Sequence, residues 1–301
     1  MIAKVLKRYQ KINSKSGNFA KLVLTLLKFL SNILGRKNDL DISRFCEVNR
    51  LSFAENDNFI SSRKTVGLIL VAGEKDFALL NFTLTGAINS LDLFFKGDIR
   101  VIVPDKSVEL CQEALRDFKT GNVEVISEND SISFKARKKI KDRFHDRYGW
   151  ALQQFLKVSE VIRHADTSNL VLDADTLLLQ KRKWLDADFR QCLLPTWEFN
   201  RPYYDLLSQS GLCSKTPSYT FVPHHMIMQE KFMSEAMAVI GVSNLEDLVD
   251  FVVENAEEGE STFCIEYELY AQYLFNFRPK SFFLDKWSNL GIPRYKIRDL
   301  T

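Results

Sequence analysis

Cysteine, glycine and proline are all sparse in this 301-residue chain, at five, twelve and seven residues. Collagen-like and disulfide-stapled folds need far more of each, and both are excluded. The cysteines, Cys46, Cys111, Cys192, Cys213 and Cys264, are odd in number and far apart, with no CxxC pair. They predict reduced, mostly buried thiols in a cytoplasmic compartment. No G-x-G-x-x-G follows the first apolar strand, so a dinucleotide fingerprint is missing. A large charge imbalance is missing too: 41 basic against 39 acidic residues leave net +2, and no global field invites nucleic acid.

Acids are wholly absent from residues 1–38, which carry nine Lys or Arg; the remainder is therefore net −7. Within this arm, Phe19 to Leu34 (FAKLVLTLLKFLSNIL) places Lys21, Thr25, Lys28 and Asn32 on one stripe of a helix, with apolar residues around it. Sixteen residues with two lysines fall short of the roughly 20 that span a bilayer, and no small-residue cleavage site follows Leu34. The arm is expected to lie on an anionic membrane surface, lysines toward phosphate, or to pack on the body or on a partner chain. Residues 1–64 thus read as a basic helical arm and linker. Residues 65–301 read as the folded body of the chain.

With 46% hydrophobic and 12% aromatic residues the body can bury a sizeable core. Thr65 to Ala72 (TVGLILVA) is apolar throughout and closed by Gly73, as a buried parallel strand should be. Asp76 to Leu93 has helical spacing, Ile99 to Val103 is a second strand, Ser107 to Phe118 a helix, and Asn122 to Ile126 a third strand. This alternation predicts a doubly wound, mainly parallel sheet. Trp150 to His164 is a helix, and Asn169 to Leu172 a fourth strand. Leu193 to Glu198 reads as another strand and Cys264 to Phe277 as a helix.

Asp173 and Asp175 stand where the fourth strand leaves the sheet. Residues two apart on an extended chain point the same way, so both carboxylates are expected to aim into one crevice. Like charges so close need a shared cation, and a divalent ion that keeps some waters and takes substrate phosphates meets that need.

A strand and D-x-D placed about 100 residues after the first strand resemble the GT-A nucleotide-sugar glycosyltransferases. Three further segments are similar to a bacterial GT-A-like group found in polysaccharide gene neighbourhoods. These are Arg147-Tyr148-Gly149-Trp150 with Gln153 to Lys157, Phe221-Val222-Pro223-His224-His225-Met226, and Glu266-Tyr267-Glu268-Leu269-Tyr270. The resemblance covers about residues 65–287 and implies that residues 65–301 are the catalytic domain, with a donor half at about 65–180 and an acceptor half at about 181–290. It implies a GT-A, Rossmann-like α/β fold: a mixed, mainly parallel sheet flanked by helices, here with the basic N-terminal arm added.

The resemblance also implies roles. Asp175 would be the firmer ligand of Mn²⁺ or Mg²⁺, with Asp173 on the metal or the donor ribose, and the ion would stabilise charge on the leaving diphosphate. Ala72, Gly73 and Asp76 would line the nucleoside, and Lys157 and Arg147 would face donor phosphates. Trp197, Glu198, Arg201, Tyr203 and His224 would meet the acceptor. His225 would be a third metal ligand or a base, since adjacent strand residues face opposite sides and one His enters the site. Glu266, expected to share a helix face with Tyr270 and Tyr273, would take the acceptor hydroxyl's proton.

The sequence thus predicts a metal-dependent glycosyltransferase that moves sugar from a nucleotide-diphosphate donor to a glycan or lipid-linked acceptor in surface polysaccharide synthesis. It would be cytoplasmic and peripheral on the inner face of the membrane, with no nucleic-acid partner. Two alternatives are a haloacid-dehalogenase-like phosphatase using Asp173 as nucleophile, and a catalytically silent membrane- or glycan-binding protein of the same fold.

Overall fold

The run VGLILV forms strand β1 (Val66–Val71), whose Val66, Leu68 and Leu70 face one core while Ile69 is buried on the opposite side. Burial on both faces is what a near-continuous apolar strand requires. A 3-10 stretch (Glu74–Leu79) then feeds helix α1 (Leu80–Leu91), which lays Leu80, Leu84, Ala87 and Leu91 against the sheet at helical spacing. The apolar stretch Glu74–Phe94 is long enough to cross a membrane by length and composition. Those four fully buried side chains make it a core element here. Strand β2 (Phe95–Val103), helix α2 (Val108–Ala114) and strand β3 (Val123–Ser127) complete the first half.

One helical turn, α3 (Glu128–Ser131), and the basic helix α4 (Phe134–Phe144) lead into α5 (Tyr148–Arg163) and strand β4 (Ser168–Asp173). There follow β5 (Gln191–Leu193), α6 (Arg201–Ser208), β6 (His225–Gln229), α7 (Glu230–Val239), α8 (Leu245–Asn255), α9 (Tyr267–Phe277) and β7 (Phe282–Leu284). This computed structural model describes residues 66–287 apart from 166, 197, 258 and the side chain of 96. The basic arm expected in residues 1–64 lies outside the described residues.

The main sheet has the order β3-β2-β1-β4-β6; its first four strands are parallel and β6 runs antiparallel to β4. A second, two-stranded sheet pairs β5 with β7 in parallel. The architecture is α/β, a mixed and mainly parallel sheet flanked by helices. In register, Val71 of β1 stands opposite Asp173 of β4, so both strands end at one edge. At that carboxyl edge open α/β sheets bind their ligands.

Two elements are shorter than their apolar patterns suggest. The expected strand Leu193 to Glu198 ends at Leu193, because Thr196 leaves the ladder for an isolated bridge to Thr220. The expected helix from Cys264 begins only at Tyr267, where Glu266 occupies the N-cap position.

Candidate active site

Asp173 is the last residue of β4, and the chain turns at once: the Thr176 N–H donates to the Asp173 carbonyl at 3.0 Å. Extended geometry therefore stops at Asp173, and the period-two argument for a shared direction of the two carboxylates fails. Asp173 is half-buried and reaches inward, while Asp175 is exposed on the turn. Helix α1 holds this turn. The Thr83 hydroxyl donates to the Ala174 carbonyl at 2.8 Å. Gly86 lets the chain pass so closely that a Cβ there would stand 2.7 Å from the Leu178 carbonyl oxygen.

Asp173 carries four contacts. Its Oδ1 accepts from the Lys157 ammonium and, at 3.1 Å, from the Tyr267 hydroxyl. Its Oδ2 lies 3.0 Å from His224 Nδ1, and its backbone N–H donates to the His224 carbonyl at 3.0 Å. Lys157 Nζ also meets Glu266 Oε2 at 2.8 Å and donates to the Tyr267 hydroxyl at 3.3 Å. Two carboxylates thus share one ammonium, the arrangement that makes a buried cation tolerable.

Burial alone would raise the Asp173 carboxyl, but Lys157 and the hydrogen bond from His224 outweigh it and hold the group well below the usual carboxylate range. Lys157 is driven the other way: burial would lower it, yet Asp173 and then Glu266 keep it protonated. For Glu266 burial wins over the attraction of Lys157, and the carboxyl rises to about 7. The two neighbours of a single ammonium are therefore set apart, one firmly ionised and one poised near neutrality.

Lys157 was expected to face donor phosphates. Its side chain is fully buried and its ammonium is spent on Asp173, Glu266 and Tyr267, so it acts on a ligand only through those groups. The histidines also exchange roles. His225 pairs with Leu172 across the sheet and faces the apolar core, edge-on between Trp184 at 5.7 Å and Trp287 at 5.5 Å. Burial pushes its imidazole down to about 4. It is neither metal ligand nor base beside Asp173. His224, assigned to the acceptor, is the imidazole at the carboxylate, and its hydrogen bond to Asp173 raises it above its ordinary value.

Glu266, Tyr270 and Tyr273 do not share one task. Glu266 turns to Lys157 from the start of α9; the Tyr270 hydroxyl donates to Gln191 Oε1 at 2.6 Å, and the Tyr273 hydroxyl donates to Glu235 at 2.6 Å. Glu268 is fully buried elsewhere and accepts from the Tyr204 hydroxyl at 2.7 Å.

Around this centre, Ala72 and Gly73 continue β1 at the same edge. Ala72 is buried, and the Gly73 N–H donates to the buried Asp76 carboxylate at 3.3 Å. Arg147 is exposed, its guanidinium 4.2 Å from the Trp150 ring centroid. Glu198 is exposed and close enough to act electrostatically on His224. The remaining acceptor candidates hold up less well. Arg201 bonds Asp205 of its own helix at 2.9 Å but stays exposed, whereas Tyr203 is buried beside Tyr204 and offers no free face. Trp197 lies outside the described residues. Phe199 is the aromatic that sequence reasoning passed over: it is half exposed and stacked on Tyr204, with centroids 5.1 Å apart and planes at 10°.

Among the described residues no three His, Cys, Asp or Glu side chains form a closed metal cage. What exists is a strand-end edge where His224 Nδ1 sits on Asp173 Oδ2, with the exposed Asp175 two residues on. Carboxylates suit Mn²⁺ or Mg²⁺ that completes its shell with water and substrate phosphates. The two carboxylates fit such an ion, and His224, bonded to one of them, aims it. Tyr267 is the other residue the sequence hid: a lone tyrosine between two glutamates reads as helix filler.

A family model described as "Family of unknown function (DUF6492)" matches residues 84–287. No curated protein matches the chain. Among solved structures, apo mouse xyloside xylosyltransferase 1 is similar at 12% identity over 74% of this chain and 85% of that one, with a TM-score of 0.40. The 4-diphosphocytidyl-2C-methyl-D-erythritol synthase of Anaerococcus prevotii is similar at 11% identity, over 78% and 94%, with a TM-score of 0.36. The galactosyltransferase LgtC, in complex with donor and acceptor sugar analogues, is similar at 12% identity, over 66% and 72%, with a TM-score of 0.36. Likenesses this distant leave the chemistry to the residues themselves.

Proposed function

This chain belongs to the family of unknown function DUF6492, and we propose that it is a glycosyltransferase using a nucleotide-diphosphate sugar. One observation carries the reading: a strand-end carboxylate, Asp173, held by Lys157, Tyr267 and His224 at the carboxyl edge of a parallel sheet, with a second carboxyl, Glu266, on the same ammonium. The edge is where a diphosphate would lie. Ala72 and Gly73 border it from β1, and Arg147 offers an exposed guanidinium for phosphate oxygens.

Asp173, with Asp175 beside it and His224 aiming its carboxylate, would hold Mn²⁺ or Mg²⁺, and the bound ion would supply Lewis-acid stabilisation of the departing diphosphate. The chain's own residues do the rest. Lys157 and Tyr267 keep Asp173 ionised and aimed, since both bond one of its oxygens. Glu266, lifted to about 7, can accept a hydroxyl proton near neutral pH and release it again. Exposed Glu198 and Phe199 would line the acceptor side, a sugar's C–H face lying on the ring. The basic arm of residues 1–38 would hold the enzyme on an anionic inner leaflet, where lipid-linked acceptors gather.

A decisive experiment is release of nucleoside diphosphate from a panel of nucleotide sugars with Mn²⁺, comparing wild type with Asp173→Asn and Glu266→Gln. Turnover that either substitution leaves unchanged would overturn the assignment. Phosphate release from simple esters, with no nucleotide sugar consumed, would point instead to Asp173 as a phosphatase nucleophile.

A further inference from the structure

Residues 219–224 deliver His224 to Asp173 without forming strand or helix, apart from the isolated Thr196–Thr220 bridge. They are nevertheless held from two sides. On one side Thr196 exchanges four hydrogen bonds with them: its N–H donates to the Thr220 carbonyl at 2.8 Å, the Thr220 hydroxyl donates to its carbonyl at 2.7 Å, the two hydroxyls meet at 2.9 Å, and the Val222 N–H donates to its hydroxyl at 3.2 Å. On the other side stands Glu268. Its Oε1 accepts from the Phe221 N–H at 2.5 Å and the Tyr204 hydroxyl at 2.7 Å; its Oε2 accepts from the Gln272 amide at 2.9 Å. The same Gln272 amide donates to the Tyr219 carbonyl at 2.8 Å.

A fully buried carboxylate with no paired cation among the described residues is a costly core element, tolerated when every oxygen is satisfied. What the clamp secures is visible two residues on. His224 has φ +63°, a left-handed conformation that a non-glycine residue adopts only at a cost. Such a conformation persists only where the surroundings over-determine it. Tyr204, the second donor, is also the ring beneath exposed Phe199.

We infer that Glu268 is a positioning residue: by fixing the Phe221 N–H and the Tyr204 hydroxyl it keeps His224 on Asp173 and ties that pair to the Phe199 side of the site. The functional meaning rests on the glycosyltransferase reading; the placement is a property of the free chain. It touches no ligand and acts through the loop.

The test is nitrogen-15 NMR of the imidazoles in the full-length chain at constant neutral pH, with His224→Asn identifying the His224 Nδ1 signal. Glu268→Gln keeps an acceptor oxygen but turns an N–H toward donors. It is expected to shift or abolish that signal and to weaken binding of UDP or GDP with Mn²⁺ by roughly tenfold or more. Glu235→Gln removes a carboxylate that serves Tyr273 and Arg278 and should leave the signal in place. A wild-type His224 signal in Glu268→Gln, or a shift no larger than in Glu235→Gln, overturns the inference. Should Glu268→Gln fail to fold, Glu268→Asp keeps the charge and withdraws it from Phe221, with the same expected loss; an unaltered signal there also overturns it. If neither nucleoside diphosphate binds wild type, the glycosyltransferase reading falls, and the imidazole signal alone decides the role of Glu268.

Discussion

Asp173 and His224 meet twice, once through the backbone and once through side chains, each time at 3.0 Å. The backbone contact extends the β4–β6 pairing by one residue, and the side-chain contact sets an imidazole on the carboxylate at that strand end. Substituting Asp173→Asn removes the charge that Lys157 and His224 both address. Nucleoside diphosphate binding with Mn²⁺ should be lost, and urea denaturation should show a loss of about 3 kcal/mol, as for a broken buried ion pair. Lys157→Met should destabilise by a similar amount, because two carboxylates then face each other without their cation.

Glu268 gives the chain a pH-dependent stability of defined sign. Burial lifts its carboxyl from 4.5 to about 7, against the pull of Phe221, Gln272 and Tyr204. Across that window the folded chain holds a proton the unfolded chain has released, so stability falls as pH rises through it and is not regained above. Glu268→Gln cannot titrate there. Its Tm, followed from about pH 5 to 8, should decline less steeply than that of wild type. Parallel curves would contradict the assignment.

Gly86 is the point at which α1 lets the post-Asp175 chain approach. Alanine in mid-helix normally gains about 1 kcal/mol over glycine. Here its Cβ would stand 2.7 Å from one backbone atom of Leu178 and 3.3 Å from another. Gly86→Ala should therefore lower Tm and weaken Mn²⁺-dependent nucleotide binding. Thr83→Val, which strips the hydroxyl from the Ala174 carbonyl, should cost about 1 kcal/mol in urea denaturation.

Arg147 offers the opposite expectation. It is exposed, and its contact with the Trp150 face is worth about 0.5–1 kcal/mol. Arg147→Ala should leave Tm nearly unchanged while the Kd for a nucleoside diphosphate rises several-fold, and that rise should shrink at high salt. An unchanged Kd would remove Arg147 from the donor site.

The strands that frame the site were legible because parallel strands are buried on both faces: VGLILVA and LVL are unbroken apolar runs. The position of Asp173 at the sheet edge followed from that. The two histidines were a different matter. Alternation requires His224 and His225 to diverge, but it does not say which one turns inward. The answer lies in a left-handed backbone at His224 that starts β6 one residue later. The divergence of Asp175 from Asp173 was hidden for a related reason, since a turn closed by a Thr176 N–H leaves no periodic trace. Lys157 was visible as a cation near the D-x-D. Its complete burial was not, because a lysine stem among Phe155, Leu156 and Val158 resembles one lying along a surface.

The sealed ammonium of Lys157 has a last consequence. Its water shell is stripped once, as the protein folds around Asp173 and Glu266, and arriving molecules meet charges already dry and oriented. Amine-reactive reagents should for the same reason pass over this lysine in the native protein and modify it only after the chain has opened.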